Sequence, residues 1–150
     1  MTDSELPGAT QLPDGSRVRV RGLRNPTPDG PSPTYGLYLG SKKMRRTFDN
    51  DLTWAHDWIL WPDFLLPRDS ARAMVLIREL HQRALAGEAV EVACGGGNGR
   101  TGTVMSVLAV LAGVAPAEAV EWVRANYRPH AVETPWQRRW IMRNTAGLPA

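Results

Sequence analysis

The stretch VEVACGGGNGRTGTV, residues 90–104, holds the only cysteine among the 150 residues of the chain. The apolar run that ends at Cys94 predicts a buried strand, and the run TGTVMSVLAVLAG predicts a helix buried in the core. Five residues, four of them glycine, separate Cys94 from Arg100. Glycines let a backbone curl tightly, and a loop entering a helix N-terminus points several N–H groups at one spot. This order of elements predicts a loop that binds a tetrahedral oxyanion such as phosphate.

Three side chains add chemistry to this loop. Arg100 offers a planar fork of donors that matches two oxygens of a phosphate group. Cys94 stands beside this arginine at a helix N-terminus, which favours the nucleophilic thiolate, and Thr101 is placed to hydrogen-bond the sulfur. An inert buried cysteine is the alternative. That alternative leaves the arginine and the threonine unexplained.

A nucleotide-binding loop has a similar pattern: Gly, four residues, then Gly-Lys and Ser or Thr. Here Cys94 stands at the first glycine, and Arg100 replaces the lysine. No apolar strand ends in an obvious magnesium-binding aspartate unless ILWPD serves as one. We therefore disfavour a kinase or ATPase.

A covalent phosphoryl transfer also needs a proton donor for the leaving oxygen. The segment WPDF supplies Asp63, which follows Pro62 on a stiff turn after the apolar run WILW. We expect the apolar neighbours to shield this carboxyl from water, which favours the protonated form that a general acid requires. Taken alone, Pro-Asp is an ordinary turn signal.

Together, WPDF and CGGGNGRTG resemble the cysteine-dependent protein-tyrosine phosphatases, whose signature is His-Cys, five residues, Arg-Ser/Thr, and whose acid loop carries Trp-Pro-Asp. The chain looks like a small, single-domain, bacterial member. The resemblance implies Cys94 as nucleophile, Arg100 as phosphate clamp and Thr101 as thiolate stabiliser. It implies Asp63 as general acid and then general base. It also implies that phosphate oxygens bind the backbone of Gly95, Gly96, Gly97, Asn98 and Gly99.

Two positions depart from the family pattern. Ala93 stands where the family usually has a histidine that helps organise the loop. ETPWQRRW resembles the family's glutamine-bearing loop, in which two glutamines place the hydrolytic water. Gln137 matches the second glutamine, whereas Glu133 stands at the first. Gln137 also fits a capping box at the start of the last helix, and the two interpretations have equal weight. For Arg128 the alternatives are a place near the site and the surface, and we favour the surface. For Trp136 they are the mouth of a pocket and the core, and we favour the core.

The remaining patterns alternate strands with helices. SRVRVRGL predicts an edge strand with one face in water, and YGLYLG predicts a second strand. Helical spacing predicts helices over 70–86 and from Pro116 to about Asn126, and Thr134 is the expected N-cap of the last helix. The fold class is therefore α/β, with a central, mostly parallel sheet flanked by helices, as in the tyrosine phosphatases. We expect one phosphatase domain over 1–150, with residues 1–16 loosely ordered.

Composition and charge limit the classes of partner that the chain can have. The chain is 43% hydrophobic and 22% charged, with a net charge of +3, and it has no apolar run long enough to span a membrane. A single cysteine and no signal-like segment favour a cytoplasmic protein. Three scattered histidines indicate no metal site, and no cofactor is implied. One acid, Asp29, accompanies eight basic residues that form either an anion-steering face or a solvated surface: Arg17, Arg19, Arg21, Arg24, Lys42, Lys43, Arg45 and Arg46. The sequence has no basic helix with interleaved aromatic residues, the pattern that would indicate binding to nucleic acid.

The sequence thus predicts a metal-independent phosphatase that acts on a phosphoprotein or phosphopeptide through a cysteinyl-phosphate. Phosphotyrosine is the leading substrate, and dual specificity for phosphoserine and phosphothreonine stays open. The uncharged loop disfavours inositol phospholipid phosphatases, which tend to place lysines there. The alternative is a phosphate-binding pseudophosphatase that has lost turnover.

Overall fold

The computed structural model describes residues 6–148. These residues form five β-strands: β1 (Thr10–Gln11), β2 (Arg17–Gly22), β3 (Tyr35–Gly40), β4 (Ala55–Leu60) and β5 (Val90–Cys94). They also form five α-helices: α1 (Lys42–Phe48), α2 (Ser70–Leu85), α3 (Gly99–Leu111), α4 (Ala119–Asn126) and α5 (Pro135–Thr145). Short 3₁₀ turns lie at Asp49–Asp51 and Pro116–Glu118.

The strands form one sheet in the order β1-β2-β5-β3-β4. β1 runs antiparallel to β2, and the other neighbouring pairs are parallel. The predicted α/β class with a mostly parallel sheet is confirmed. The carboxyl ends of parallel strands lie at one edge, so the segments that follow β2, β3, β4 and β5 meet there.

Apolar side chains cover both faces of this sheet, as a parallel sheet requires. On one side the core is built around α3, which contacts α2, α4 and α5 and is buried from Gly99 to Val110. A smaller cluster includes Tyr38, Met44 and Trp58, with the Ala93 methyl group among them. The all-round apolar sequence of α3 thus predicted its position correctly.

Caps set the ends of the helices near this edge. Asp69 caps α2 by accepting a hydrogen bond from the Arg72 amide at 3.0 Å. Thr134 caps α5, and Gln137 completes the predicted capping box. The helix predicted from Pro116 begins as a 3₁₀ turn and becomes α-helical at Ala119.

The prediction for β2 was wrong in two respects. β2 is not an edge strand, because β1 pairs with it along its outer edge. Nor does one of its faces lie in water, because Arg19 and Arg21 are buried. Both guanidinium groups bind the fully buried carboxylate of Glu91, with both Nε atoms 2.7 Å from Oε1. Tyr38 donates a hydrogen bond to Oε2 of the same carboxylate at 2.7 Å. Two of the eight basic residues therefore belong to the interior and not to a charged face.

The N-terminal segment that we expected to be loosely ordered lies partly outside the described residues. From residue 6 onward it contains β1 and buries Leu6 and Leu12. Asp14 connects this N-terminal segment to α2, because its Oδ2 lies 2.7 Å from Nε2 of His81. None of the helices within 6–148 has both the length and the apolar character that crossing a membrane requires.

Candidate active site

The loop between β5 and α3 curls around the sulfur of Cys94. Cys94 ends β5, and its side chain is buried. The Gly97 amide donates a hydrogen bond to Sγ at 3.3 Å, and Oγ1 of Thr101 lies 3.8 Å from it. Gly97 has φ +81°, a conformation that glycine adopts without strain. The loop thus places the Gly97 N–H group and the N-terminus of α3 next to one thiol.

The carbonyl groups of this loop all have partners elsewhere. Two extend the sheet, because Cys94 O accepts from the Leu23 amide at 2.6 Å and Gly95 O from the Arg24 amide at 3.2 Å. Nη1 of Arg128 donates to Gly96 O at 3.1 Å, and the Tyr127 hydroxyl donates to Gly97 O. Asn98 O accepts from the amides of Gly102 and Val132. With its carbonyls bound in this way, the loop can present its amides to an anion.

Tyr127 was not predicted as part of the site, and for Arg128 a surface position was favoured over a place near the site. We expected Arg128 on the surface, whereas its guanidinium binds loop carbonyls and lies over the Tyr127 ring. Burial raises the pKa of Tyr127, which keeps its hydroxyl protonated as a donor. The sequence signal was weak, because YRPH follows a helix without any motif.

The glycines are required by close approach of the surrounding chain. A Cβ at Gly22 would lie 2.7 Å from Gly95 O, and one at Gly95 would collide with the Arg24 guanidinium. At Gly99, a Cβ would collide with the carboxylate of Glu133. The loop therefore packs tightly against β2 and against the segment before α5.

Arg100 connects this loop to the segment that carries Asp63. Its side chain is buried, and Nη1 donates a hydrogen bond to Trp61 O at 3.1 Å. Nη2 lies 3.4 Å from Oδ1 of Asp63. Nε is buried and has no hydrogen-bond partner among residues 6–148. A buried guanidinium with an unpaired donor is costly unless an anion binds there.

Asp63 itself is more exposed than we expected. Its side chain is 48% exposed, so the apolar neighbours do not shield it from water. Trp61 is fully buried, and its indole donates a hydrogen bond to Leu65 O at 2.8 Å. Trp61 points inward and anchors the segment, which leaves Asp63 at the rim beside Arg100.

Trp136 reaches this segment from α5. It is 41% exposed and does not lie in the core as predicted. Its indole N–H donates a hydrogen bond to Phe64 O, one residue after Asp63. Phe64 has φ +61°, an uncommon conformation for a side chain of its size. A contact from another element thus holds the backbone next to Asp63.

Glu133 and Gln137 adjoin the loop in different ways. Gln137 is fully buried, and its Oε1 accepts from the amides of Glu133 and Thr134 at 2.9 and 3.2 Å. Its Nε2 has no partner within the described part of the chain. The Glu133 carboxylate contacts Gly99 at the start of α3, where the helix dipole favours negative charge.

A family model described as Swiss Army Knife protein, DSP-PTPase phosphatase domain (PTP-SAK), matches residues 65–144, more than half of the chain. The chain belongs to this family. The PTP-SAK match includes the cysteine loop and begins two residues after Asp63. The resemblance to cysteine-dependent tyrosine phosphatases is confirmed, and the family indicates a phosphatase. Among residues 6–148, no three His, Cys, Asp or Glu side chains cluster so as to hold a metal ion.

Solved phosphatase structures share the fold of this PTP-SAK domain. Tk-PTP in its active form has a TM-score of 0.67 at 22% identity, covering 95% of this chain and 99% of its own. Kinase associated phosphatase has a TM-score of 0.70 at 12% identity, covering 94% and 97%. Human DUSP28 has a TM-score of 0.64 at 15% identity, covering 93% and 96%. At these identities the likeness shows the fold.

An uncharacterized protein of Methanocaldococcus jannaschii is 46% identical over 56 residues. The match covers 37% of this chain and spans 37% of that relative's length.

Proposed function

We propose that this PTP-SAK domain hydrolyses phosphotyrosine monoesters through a cysteinyl-phosphate intermediate. The observation that carries the proposal is the buried Arg100 guanidinium, with its unpaired Nε, next to a loop that directs the Gly97 amide at Cys94 Sγ. Phosphate oxygens would bind Arg100 and the amides of residues 95–99, which stabilises negative charge as it shifts in the transition state.

The two chemical steps use Cys94 and Asp63 in turn. The thiolate of Cys94 attacks phosphorus, and the bond between phosphorus and the leaving oxygen breaks as Asp63 donates its proton to that oxygen. The Asp63 carboxylate then takes a proton from water, which attacks phosphorus and releases inorganic phosphate and the thiolate. The rim position of Asp63, 3.4 Å from Arg100, suits both steps. Thr101 stabilises the thiolate as it leaves.

Gln137 and Glu133 are the candidates for positioning the water that attacks in the second step. Gln137 already uses its Oε1 in the capping box, so only its unpaired Nε2 can serve the water. Replacing Gln137 with Glu would then slow breakdown of the intermediate more than its formation.

The test is hydrolysis of p-nitrophenyl phosphate between about pH 5 and pH 8 with EDTA present. We expect turnover in the wild type and none in Cys94→Ser. Asp63→Asn should lose about 10²- to 10⁴-fold and change the pH profile. Asp29→Asn, in the proline-rich loop, is the matched control. Phosphotyrosine, phosphoserine and phosphothreonine peptides of one sequence then decide specificity.

The pseudophosphatase is the second candidate, and Ala93 in place of histidine is the observation that favours it. It would show as phosphotyrosine peptide binding that requires Arg100, with no turnover by the wild type. Retention of Cys94 and Asp63 beside Arg100 opposes it, because binding alone needs neither.

A further inference from the structure

A pocket of about 320 Å³ opens beside Asp63 and Arg100, and its walls carry positive charge. Arg24, which follows β2, and Lys43, in the first turn of α1, both line it. Apolar atoms of Met44 and other side chains of α1 complete the wall: Thr47 and Phe48. The pocket thus joins the proposed reaction site to two further cations.

The backbone of Arg24 is held beside the cysteine loop by the fold. Its amide donates to Gly95 O, which extends the β2–β5 pairing into the loop. Its guanidinium lies against Gly95, where a Cβ would displace it. Neither Arg24 nor Lys43 has a side-chain hydrogen bond or ion pair with another residue of the described part of the chain. Of the described residues that line the pocket, Asp63 is the only acid, and it already contacts Arg100.

We propose that Arg24 and Lys43 bind a second anionic group of the substrate: an acidic side chain next to the phosphotyrosine in a peptide. This inference rests on the proposed function and deepens it. Two unpaired cations around a pocket beside the reaction site attract a carboxylate of the same peptide. Ser41 lines the same pocket, and its hydroxyl, which accepts a hydrogen bond from the Met44 amide, still has its own proton to donate.

The experiment compares kcat/KM for two phosphotyrosine peptides that differ only in having glutamate or glutamine beside the phosphorylated residue. The wild type should prefer the glutamate peptide about fivefold. The preference should fall when salt rises from about 0.05 to about 0.5 M, because partly exposed ion pairs are screened.

The variant is the double substitution Arg24→Ala with Lys43→Ala, which should bring the ratio of the two kcat/KM values to about one. Lys42→Ala is the matched control. It removes the same charge one residue away, but Lys42 lines a different pocket, together with Arg45, Arg68 and Arg72. We expect Lys42→Ala to keep the wild-type ratio.

The outcomes separate this inference from the proposed function. No turnover of p-nitrophenyl phosphate by the wild type would overturn the proposed function. Turnover with equal use of the two peptides would overturn only the second-anion site, and so would a preference that survives the double substitution. A third arm uses a phosphatidylinositol phosphate in phosphatidylcholine vesicles. Loss of that activity alone in the double variant would assign the cations to a lipid headgroup and overturn the peptide assignment.

Discussion

At the scale of single residues, Tyr127 and Arg128 hold the carbonyls of the cysteine loop from outside. The tyrosine phosphatases that this chain resembles usually have a histidine before the cysteine, and it helps organise the loop. Here Ala93 stands at that position and packs in an apolar cluster with Tyr38 and Met44. The bonds from Tyr127 to Gly97 O and from Arg128 to Gly96 O therefore provide the organisation that the alanine cannot.

We predict that Arg128→Ala lowers kcat/KM for p-nitrophenyl phosphate about 10- to 100-fold, because freed carbonyls let the loop amides turn away from the phosphate. Tyr127→Phe should lower it less, since Arg128 still binds the same loop. Steady-state kinetics at the optimal pH measures both changes. Arg143→Ala, an exposed arginine of α5, is the control, and an equal loss there would contradict the assignment.

Loss of the Glu91 carboxylate should destabilise the fold strongly. It is fully buried, and its carboxylate binds Arg19, Arg21 and Tyr38. Burial and the neighbouring Glu91 carboxylate raise the pKa of Tyr38, which stays a donor. We predict that Glu91→Gln lowers the free energy of unfolding by about 3–5 kcal/mol, because two buried guanidinium groups lose their counter-charge. Urea denaturation measures it. Glu79→Gln, on the exposed face of α2, should change it by less than about 0.5 kcal/mol.

At the scale of elements, the contact between α5 and the acid segment links helix packing to the proposed proton transfer. Trp136 donates to Phe64 O, so removing its N–H frees the backbone beside Asp63. We predict that Trp136→Phe lowers kcat about tenfold with phenyl phosphate but much less with p-nitrophenyl phosphate. A poor leaving group depends more on the general acid, which is why leaving-group dependence is the measurement.

The control for this effect is Trp122→Phe, on the neighbouring helix α4. Trp122 packs against the core, so its replacement tests whether loss of an indole alone changes the kinetics. Equal losses with both substrates in Trp136→Phe would mean that Trp136 supports the fold generally and does not position Asp63.

The elements that the sequence predicted are those with an unambiguous local pattern. α3 is apolar on all sides, and the segment TPWQ contains both residues of the capping box of α5. α1 was missed because its seven residues contain two apolar side chains, Met44 and Phe48, too few to show a period. β2 was misjudged because its arginines are compensated by Glu91, about 70 residues further along the chain. Local patterns cannot reveal such a partner.

At the scale of the whole molecule, the parallel sheet explains which part of the site the sequence could predict. Cys94, Arg100 and Thr101 lie in one motif, and Asp63 lies in another. Strand order brings the ends of β4 and β5 to one edge, although β3 lies between them. Arg24 and Lys43 reach the same edge from the ends of β2 and β3. They carry no motif, so only the strand order identifies them.

Stability at low pH depends on carboxylates that form hydrogen bonds between separate parts of the chain. Asp14 joins the N-terminal segment to α2 through His81. Partial burial alone would raise the pKa of Asp14, but hydrogen bonds from Ser16 and the contact with His81 outweigh it, and the pKa is lowered from its ordinary value of 3.8. Hydrogen bonds from His56 and Trp58 lower the pKa of Asp49 in the same way.

A carboxyl whose pKa is lower in the folded state stabilises the fold fully above its unfolded pKa, and the contribution is lost as pH falls through the folded pKa. We therefore predict that Asp14→Asn is less stable than the wild type at about pH 6, and that the difference shrinks toward zero below about pH 3. Urea denaturation of both proteins across this range measures it. Asp29→Asn, in the exposed loop, should match the wild type throughout. A difference between wild type and Asp14→Asn that persists at the lowest pH would show that Asp14 acts through packing and not through its charge.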